Sequence, residues 1–118
     1  MSRLGLIFLL AGCGESGPQF LGEVSALTDL EANAQEVDAA LRGGQAGSVV
    51  LRGRIGRVCE EGCWFYLMGE AGLLYVKLDL ATGLVLPAKS DGREVLVKGE
   101  LVEEGSQWLL QGESVVLF

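Results

Sequence analysis

Histidine is absent from this 118-residue chain. Its absence removes the commonest general base and the commonest metal ligand of proteins. A cysteine nucleophile would also lack the partner that usually activates it. We therefore expect a protein that is not an enzyme and that needs no cofactor.

Basic residues are also scarce: 9 Lys and Arg stand against 16 Asp and Glu, and the net charge is −7. Proteins that bind nucleic acid gain much of their affinity by neutralising phosphates with Lys and Arg. This charge balance argues against nucleic acid as a partner. The length of the chain suits a single domain.

Long apolar runs are missing as well, because the run over residues 4–10 is too short for a bilayer span of roughly 20 residues. This run follows Arg3 and leads into Leu10-Ala11-Gly12-Cys13, which resembles the lipobox of bacterial lipoprotein signal peptides. The resemblance implies removal of residues 1–12 and a lipid on Cys13 that attaches the mature protein to a membrane. We expect an exported protein anchored to the bacterial membrane, facing the periplasm or the cell surface. The alternative is a short buried strand with an incidental cysteine.

A tether and a helix are predicted next. Small and polar residues, interrupted by Pro18, indicate a flexible tether, and we assign it to residues 13–27. Thr28 and Glu31 form a capping box, apolar residues then recur at helical spacing, and Gly43-Gly44 is a typical helix stop. The sequence therefore predicts one amphipathic helix over residues 29–42, within a folded domain of residues 28–118.

After Ser48 the apolar residues alternate with a period of two, which is typical of strands. Five strands are predicted, over residues 49–59, 63–68, 73–80, 93–102 and 108–118, the last interrupted near Gly112. Residues 81–92 are long enough to cross one end of a barrel. This order fits a mainly β protein with a five-stranded, OB-fold-like Greek-key barrel preceded by one helix.

The first predicted hairpin contains two of the three cysteines. Glu60-Glu61-Gly62 suits a three-residue turn with Gly62 in the left-handed region, which would make Cys59 and Cys63 direct partners. Opposed residues are close enough for a disulfide, and an exported setting lets one persist. We therefore predict a disulfide between Cys59 and Cys63.

The second hairpin predicts which side chains share a face. Pairing outward from its turn places Tyr66 opposite Tyr75 and Trp64 opposite Lys77. Strict alternation turns both cysteines inward, together with Arg57, unless Arg57 extends out of the barrel end or a bulge near Gly56 shifts the register. The predicted interior comprises Val49, Leu51, Ile55, Phe65, Leu67, Leu74, Val76 and Leu78. The predicted outer face collects Arg52, Arg54, Trp64, Tyr66, Met68, Tyr75 and Lys77.

The segment from Val58 to Trp64 has the pattern V-C-x3-C-W and is followed by Leu86-Pro87 and Gly92. With these residues the chain resembles families of exported bacterial OB-fold domains of no established function, over roughly residues 48–102. The resemblance implies the fold and export. It supplies no catalytic residue.

The outer face suggests a binding function. OB-folds commonly bind ligands over the second and third barrel strands, and aromatic rings with basic groups suit such a surface. We expect a membrane-anchored binding module for a glycan, a peptide or a partner protein. Its predicted ligand residues are Arg54, Trp64, Tyr66, Tyr75 and Lys77. The alternative is that the helix covers this face as a second core.

A different function would use the cysteines. Cys59, Cys63 and Met68 are soft ligands that suit Cu(I), and the two thiols could also act as a redox pair. The predicted faces argue against the metal site, because both sulfurs would point inward while Met68 points outward. We therefore assign no metal and keep Cu(I) handling or thiol redox chemistry as the alternative function.

Overall fold

The computed structural model describes residues 18–22, 27–70, 72–78 and 83–118. These residues form seven strands and two short helices. In chain order they are β1 (Gln19–Gly22), α1 (Leu27–Asn33), β2 (Ala34–Glu36), α2 (Val37–Gly43), β3 (Gly47–Val58), β4 (Trp64–Met68), β5 (Leu73–Leu78), β6 (Glu94–Glu104) and β7 (Gln107–Leu117).

Five of the strands close into a barrel. β3 pairs with β4 and with β6, β4 pairs with β5, β5 pairs with β7 in parallel, and β7 returns to β6. This ring confirms the predicted OB-fold-like barrel. The register of β4 and β5 is also as predicted, with Tyr66 opposite Tyr75 and Trp64 opposite Lys77.

The barrel interior is apolar because every second residue of its strands turns inward. Val49 is half-buried and packs against the core, whereas the other predicted interior residues are buried. β6 and β7 add their own inward residues to the same core, and these are Val95, Val97, Leu101, Leu110, Val115 and Leu117.

β3 carries a bulge between Ile55 and Val58. Ile55 pairs with Leu67 and Val58 pairs with Phe65, so β3 has one more residue than β4 over this stretch. The extra residue lets Val58 turn inward and leaves Arg57 exposed. Of the two explanations considered for Arg57, the bulge near Gly56 is therefore confirmed.

The interruption predicted near Gly112 is a second bulge within β7. Lys98 pairs with Ser114 and Gly99 pairs with Gly112, which leaves Glu113 as the extra residue. The strand continues on both sides of it.

The single helix predicted over residues 29–42 is wrong, because Ala34–Glu36 leaves the helical path and pairs in parallel with β3. The two helical pieces bury different residues. Leu30 of α1 packs with Leu96 and Val116 outside the barrel, whereas Val37 of α2 joins the main core. The predicted stop is confirmed, since Gly44 adopts φ 61° and donates to the Ala40 carbonyl.

The folded part begins earlier than predicted. Gln19–Gly22 falls within the proposed tether, yet it forms β1 and pairs antiparallel with β7. The signal peptide over residues 1–12 and the lipidation of Cys13 lie outside the described residues. Within the described ranges, no helix is long and apolar enough to cross a membrane.

Residues 83–93 close one end of the barrel. Leu84 and Leu86 are buried in the main core. The Leu86 N–H donates to the Gly62 carbonyl at 3.0 Å, which attaches this segment to the turn between β3 and β4. The turn that carries the cysteines is therefore at this end of the barrel.

Candidate functional site

Three aromatic rings form a cluster on the outer face of β4 and β5, and we call Trp64, Tyr66 and Tyr75 the aromatic cluster. Their centroids lie 5.6 Å apart for Trp64 and Tyr66, 5.8 Å for Trp64 and Tyr75, and 5.9 Å for the two tyrosines. The rings are tilted or edge-on to one another, with interplanar angles of 69°, 41° and 61°. Such pairs attract each other through their quadrupoles. The cluster is thus held together by its own contacts.

The aromatic cluster is half-buried, in contrast to Phe65 and Leu67, which alternate with its members on β4 and are fully buried. α1 contacts β3 and β6, whereas α2 contacts β2, β3 and β5. Leu41 of α2 lines the same groove as Tyr66 and Tyr75. Among the described residues, all three rings nevertheless keep part of their surface exposed.

A groove of about 630 Å³ adjoins the cluster. It lies where α2, the start of β5 and the start of β7 meet. Apolar surface makes up the larger part of its lining, and Glu104 and Gln107 add a carboxylate and an amide to the polar groups of its aromatic residues. The lining residues are Leu41, Tyr66, Leu73, Leu74, Tyr75, Glu104, Gln107, Trp108 and Leu109.

The sequence did not predict that residues of β7 line the groove. Tyr75 pairs with Leu109 in parallel, and this pairing brings the second tryptophan, Trp108, beside the groove. Closure of the barrel requires the third and fifth barrel strands to meet, so the fold prediction contained a signal for this neighbour. The fold prediction did not say which residues of β5 and β7 are paired.

The two predicted basic ligand residues are separated by the structure. Lys77 pairs with Trp64 and is exposed beside the aromatic cluster. Arg54 pairs with Met68 at the far end of β4, and its guanidinium donates to the Gly92 carbonyl at 3.1 Å. Arg54 lines a different groove, together with Arg52, Glu36 and Glu94. The aromatic residues and Lys77 therefore form one surface, and Arg54 forms part of another.

The turn over residues 59–63, which we call the dithiol turn, differs from the predicted one. The Cys59 N–H donates to the Trp64 carbonyl at 3.0 Å, so Cys59 is opposed by Trp64 and not by Cys63. Gly62 has φ 78° and donates to the Cys59 carbonyl, as expected for its turn position. Since the bulge in β3 shifts the alternation, the inward placement predicted for Cys59 is wrong: Cys59 lies on the side of Trp64.

The two sulfurs are neighbours despite this shift. Cys59 Sγ lies 2.7 Å from Cys63 Sγ and 3.7 Å from the Glu61 carboxylate oxygen Oε1. Both cysteines are half-buried, whereas Glu61 is exposed. Met68 lies at the opposite end of β4 and is 46% exposed. The structure therefore brings Glu61 to the cysteine pair and places Met68 away from it.

The thiols and the aromatic cluster influence one another electrostatically. The hydrogen bond between the two sulfurs lowers the pKa of Cys59, and the same bond, with burial, raises the pKa of Cys63. Burial raises the pKa of Tyr75, and the negative charges of Cys63, Tyr66 and Cys59 raise it further. Cys59 is paired with Trp64, and Tyr66 and Tyr75 line the groove, so the aromatic cluster connects the dithiol turn with the groove.

Comparison with known proteins supports the fold. No protein-family profile matches the chain, and no curated protein matches it. The structure is similar to a solved structure from E. coli described as that of the hypothetical protein ygiW, with a TM-score of 0.57 and 15% sequence identity. The similarity covers 72% of this chain and 89% of that chain. The chain is thus similar to a bacterial protein with an OB-fold-like barrel, and the similarity extends to the fold alone.

Proposed function

We propose that this protein is a non-enzymatic, lipid-anchored binding module of the bacterial cell envelope. Its ligand surface is the aromatic cluster with Lys77 and the adjoining groove. The observation that carries the proposal is that three packed rings stay half-exposed beside a groove of about 630 Å³. Exposed aromatic surface of this kind is typical of interaction sites in proteins.

The shape and chemistry of the surface favour a peptide or a segment of a partner protein over a glycan. The rings are tilted against each other, so they offer an uneven surface for side chains in place of a flat platform for a sugar ring. The groove beside them is mostly apolar, with Glu104 as its carboxylate. Apolar side chains with a basic residue nearby would complement it.

Selection of peptides on the purified full-length protein tests this proposal. A phage-displayed peptide library and an oligosaccharide array would be offered in parallel. Enrichment of apolar and basic peptides that Trp108→Ala no longer captures would support the proposal. Binding only of oligosaccharides would exclude the peptide ligand, and no binding to either would contradict a ligand surface.

Replacing Cys13 with serine is expected to release the protein from the membrane fraction. The reason is that the lipobox-like run Leu10-Ala11-Gly12-Cys13 supplies the thiol that would carry the lipid. Fractionation of cells expressing each form, followed by immunoblotting, measures the effect. Cys59→Ser serves as the control and should stay with the membrane. Retention of the Cys13→Ser protein in membranes would show that another feature attaches it.

Cys59 and Cys63 are expected to form a disulfide when the protein matures in an oxidising compartment. The adjacency of their sulfurs supports this expectation. Non-reducing mass spectrometry should give a mass about two hydrogens lighter than that of the reduced protein. Loss of the bridge should lower the free energy of unfolding by about 2 kcal/mol, because the closed loop is short. Two thiols that alkylate fully in the freshly exported protein would contradict the prediction.

A further inference from the structure

We propose that the reduced dithiol turn binds one borderline divalent cation such as Zn²⁺, with Cys59, Glu61 and Cys63 as its protein ligands. The sequence suggested Met68 as the third ligand beside the two cysteines. The structure instead places the Glu61 carboxylate next to the Cys59 sulfur. The proposal concerns the dithiol turn alone and does not depend on a peptide ligand for the aromatic cluster.

The spacing of the ligand atoms fits a small tetrahedral site. The two sulfurs and the carboxylate oxygen lie within 4.8 Å of one another. With Zn–S of about 2.3 Å and Zn–O of about 2.1 Å, tetrahedral geometry separates sulfur from oxygen by about 3.6 Å and sulfur from sulfur by about 3.8 Å. The Cys59 sulfur already lies 3.7 Å from Oε1 of Glu61. The two sulfurs, at 2.7 Å, must separate by about 1 Å, which side-chain rotation can supply.

Backbone hydrogen bonds hold the dithiol turn in place in the metal-free protein. The Gly62 N–H donates to the Cys59 carbonyl at 2.9 Å, and the Leu86 N–H donates to Gly62 at 3.0 Å. The Cys63 carbonyl accepts from the Leu78 N–H at 2.9 Å. Each bond attaches the ligand-bearing turn to itself or to a neighbouring segment. Little backbone entropy remains to be lost on binding a cation.

The donor set selects the class of metal. Two thiolates with a carboxylate suit Zn²⁺, which accepts both sulfur and oxygen, whereas Cu(I) prefers thiolate and thioether. The thioether of Met68 is at the other end of β4. Among the described residues no lysine or arginine forms an ion pair with Glu61. Three protein ligands leave a fourth position for water or for a group on a bound partner.

The site exists only while the cysteines are reduced. A disulfide between Cys59 and Cys63 would consume both thiolates, so the oxidised protein should not bind the cation. Metal binding and the bridge are therefore mutually exclusive states of the same pair, and the redox state of the protein decides between them.

Titration of the reduced, metal-free, full-length protein with Co²⁺ under anaerobic conditions tests the site. Stoichiometric binding should produce thiolate charge-transfer absorption and tetrahedral d–d bands, and Zn²⁺ should remove both. Glu61→Gln should weaken Zn²⁺ binding by at least about tenfold, since even outer-shell partners commonly contribute that much. Cys59→Ser should abolish the charge-transfer bands expected of a two-thiolate site.

Glu60→Gln is the matched control, because Glu60 precedes Glu61, is exposed, and loses the same charge on substitution. Its affinity for Zn²⁺ should stay within about twofold of the wild type, as expected for an exposed charge that coordinates nothing. Equal weakening by both variants would show that Glu61 acts through its charge alone and would overturn its role as a ligand. Binding of Cu(I) without binding of Zn²⁺ would also overturn the proposal. Trp64→Ala should retain metal binding, which separates this test from that of the aromatic cluster.

Discussion

Replacing Trp64 with alanine is expected to abolish peptide capture while the barrel stays folded. Trp64 contacts both tyrosine rings on the outer face of β4. Its neighbour Phe65 is 0% exposed and belongs to the main core. Loss of two aromatic pairs should cost about 1 to 3 kcal/mol of stability in addition to the apolar area that half-buried Trp64 no longer covers. Phe65→Ala removes a fully buried ring and leaves a cavity in the core, which should cost about 3 to 5 kcal/mol. Comparison of these two substitutions, at adjacent residues of one strand, thus distinguishes an effect on binding from an effect on folding.

Urea denaturation and binding to a peptide selected on the wild-type protein provide the two measurements. Trp64→Ala should lose the peptide and keep a cooperative transition with an unchanged m-value. Arg54→Ala should bind almost as the wild type does, because Arg54 is bonded to Gly92 and lines another groove. If Trp64→Ala destabilises the protein as strongly as Phe65→Ala does, the aromatic cluster is a part of the core and the proposed surface is wrong.

The parts of the fold that the sequence predicted are those governed by local alternation. Only a short turn separates β4 from β5, and their inward residues are apolar at every second position, so one register satisfies both strands. A slip of one residue would expose Phe65 and bury Trp64. The shared face of the aromatic cluster and the pairing of Tyr66 with Tyr75 could therefore be predicted from the sequence.

The predictions that were wrong concern features that depend on contacts between residues distant in sequence, which the local pattern does not reveal. The bulge in β3 adds one residue before the dithiol turn, and this reversed the predicted face of Cys59. The sequence offered the bulge as one explanation of Arg57, but the consequence for the cysteines followed only from the observed pairing. The same bulge explains how Cys59 comes to lie on the side of Trp64.

The prediction of a single helix was wrong for a different reason. Residues at helical spacing continue through Ala34, yet the Ala34–Glu36 backbone pairs with β3 at the edge of the sheet. Tertiary pairing therefore outweighed local propensity, as is common for short helices with few residues on a buried face. The groove beside Trp108 was missed in the same way, because it depends on the parallel pairing of β5 with β7.

The dithiol turn should tolerate no side chain at Gly62. Gly62 has φ 78°, and a Cβ there would lie against the Leu86 carbonyl oxygen and 2.9 Å from the Leu86 nitrogen. The left-handed backbone costs alanine about 1 to 2 kcal/mol, and the collision with a neighbouring backbone adds to this cost. We expect Gly62→Ala to lower the free energy of unfolding by about 3 kcal/mol or more.

Gly92→Ala is the control for Gly62→Ala, because it introduces the same backbone strain without the contact against Leu86. Gly92 has φ 83°, and among the described residues no atom lies within 4 Å of a Cβ built there. Alanine at this position should therefore cost only the backbone strain of about 1 to 2 kcal/mol. Thermal unfolding measures both variants, and a difference of about 1 kcal/mol corresponds to roughly 4 to 8 °C for a domain of this size. If Gly62→Ala melts within a few degrees of Gly92→Ala, Leu86 yields to the new side chain. In that case the attachment of the dithiol turn to the barrel end is weaker than the hydrogen bond from Leu86 to Gly62 implies.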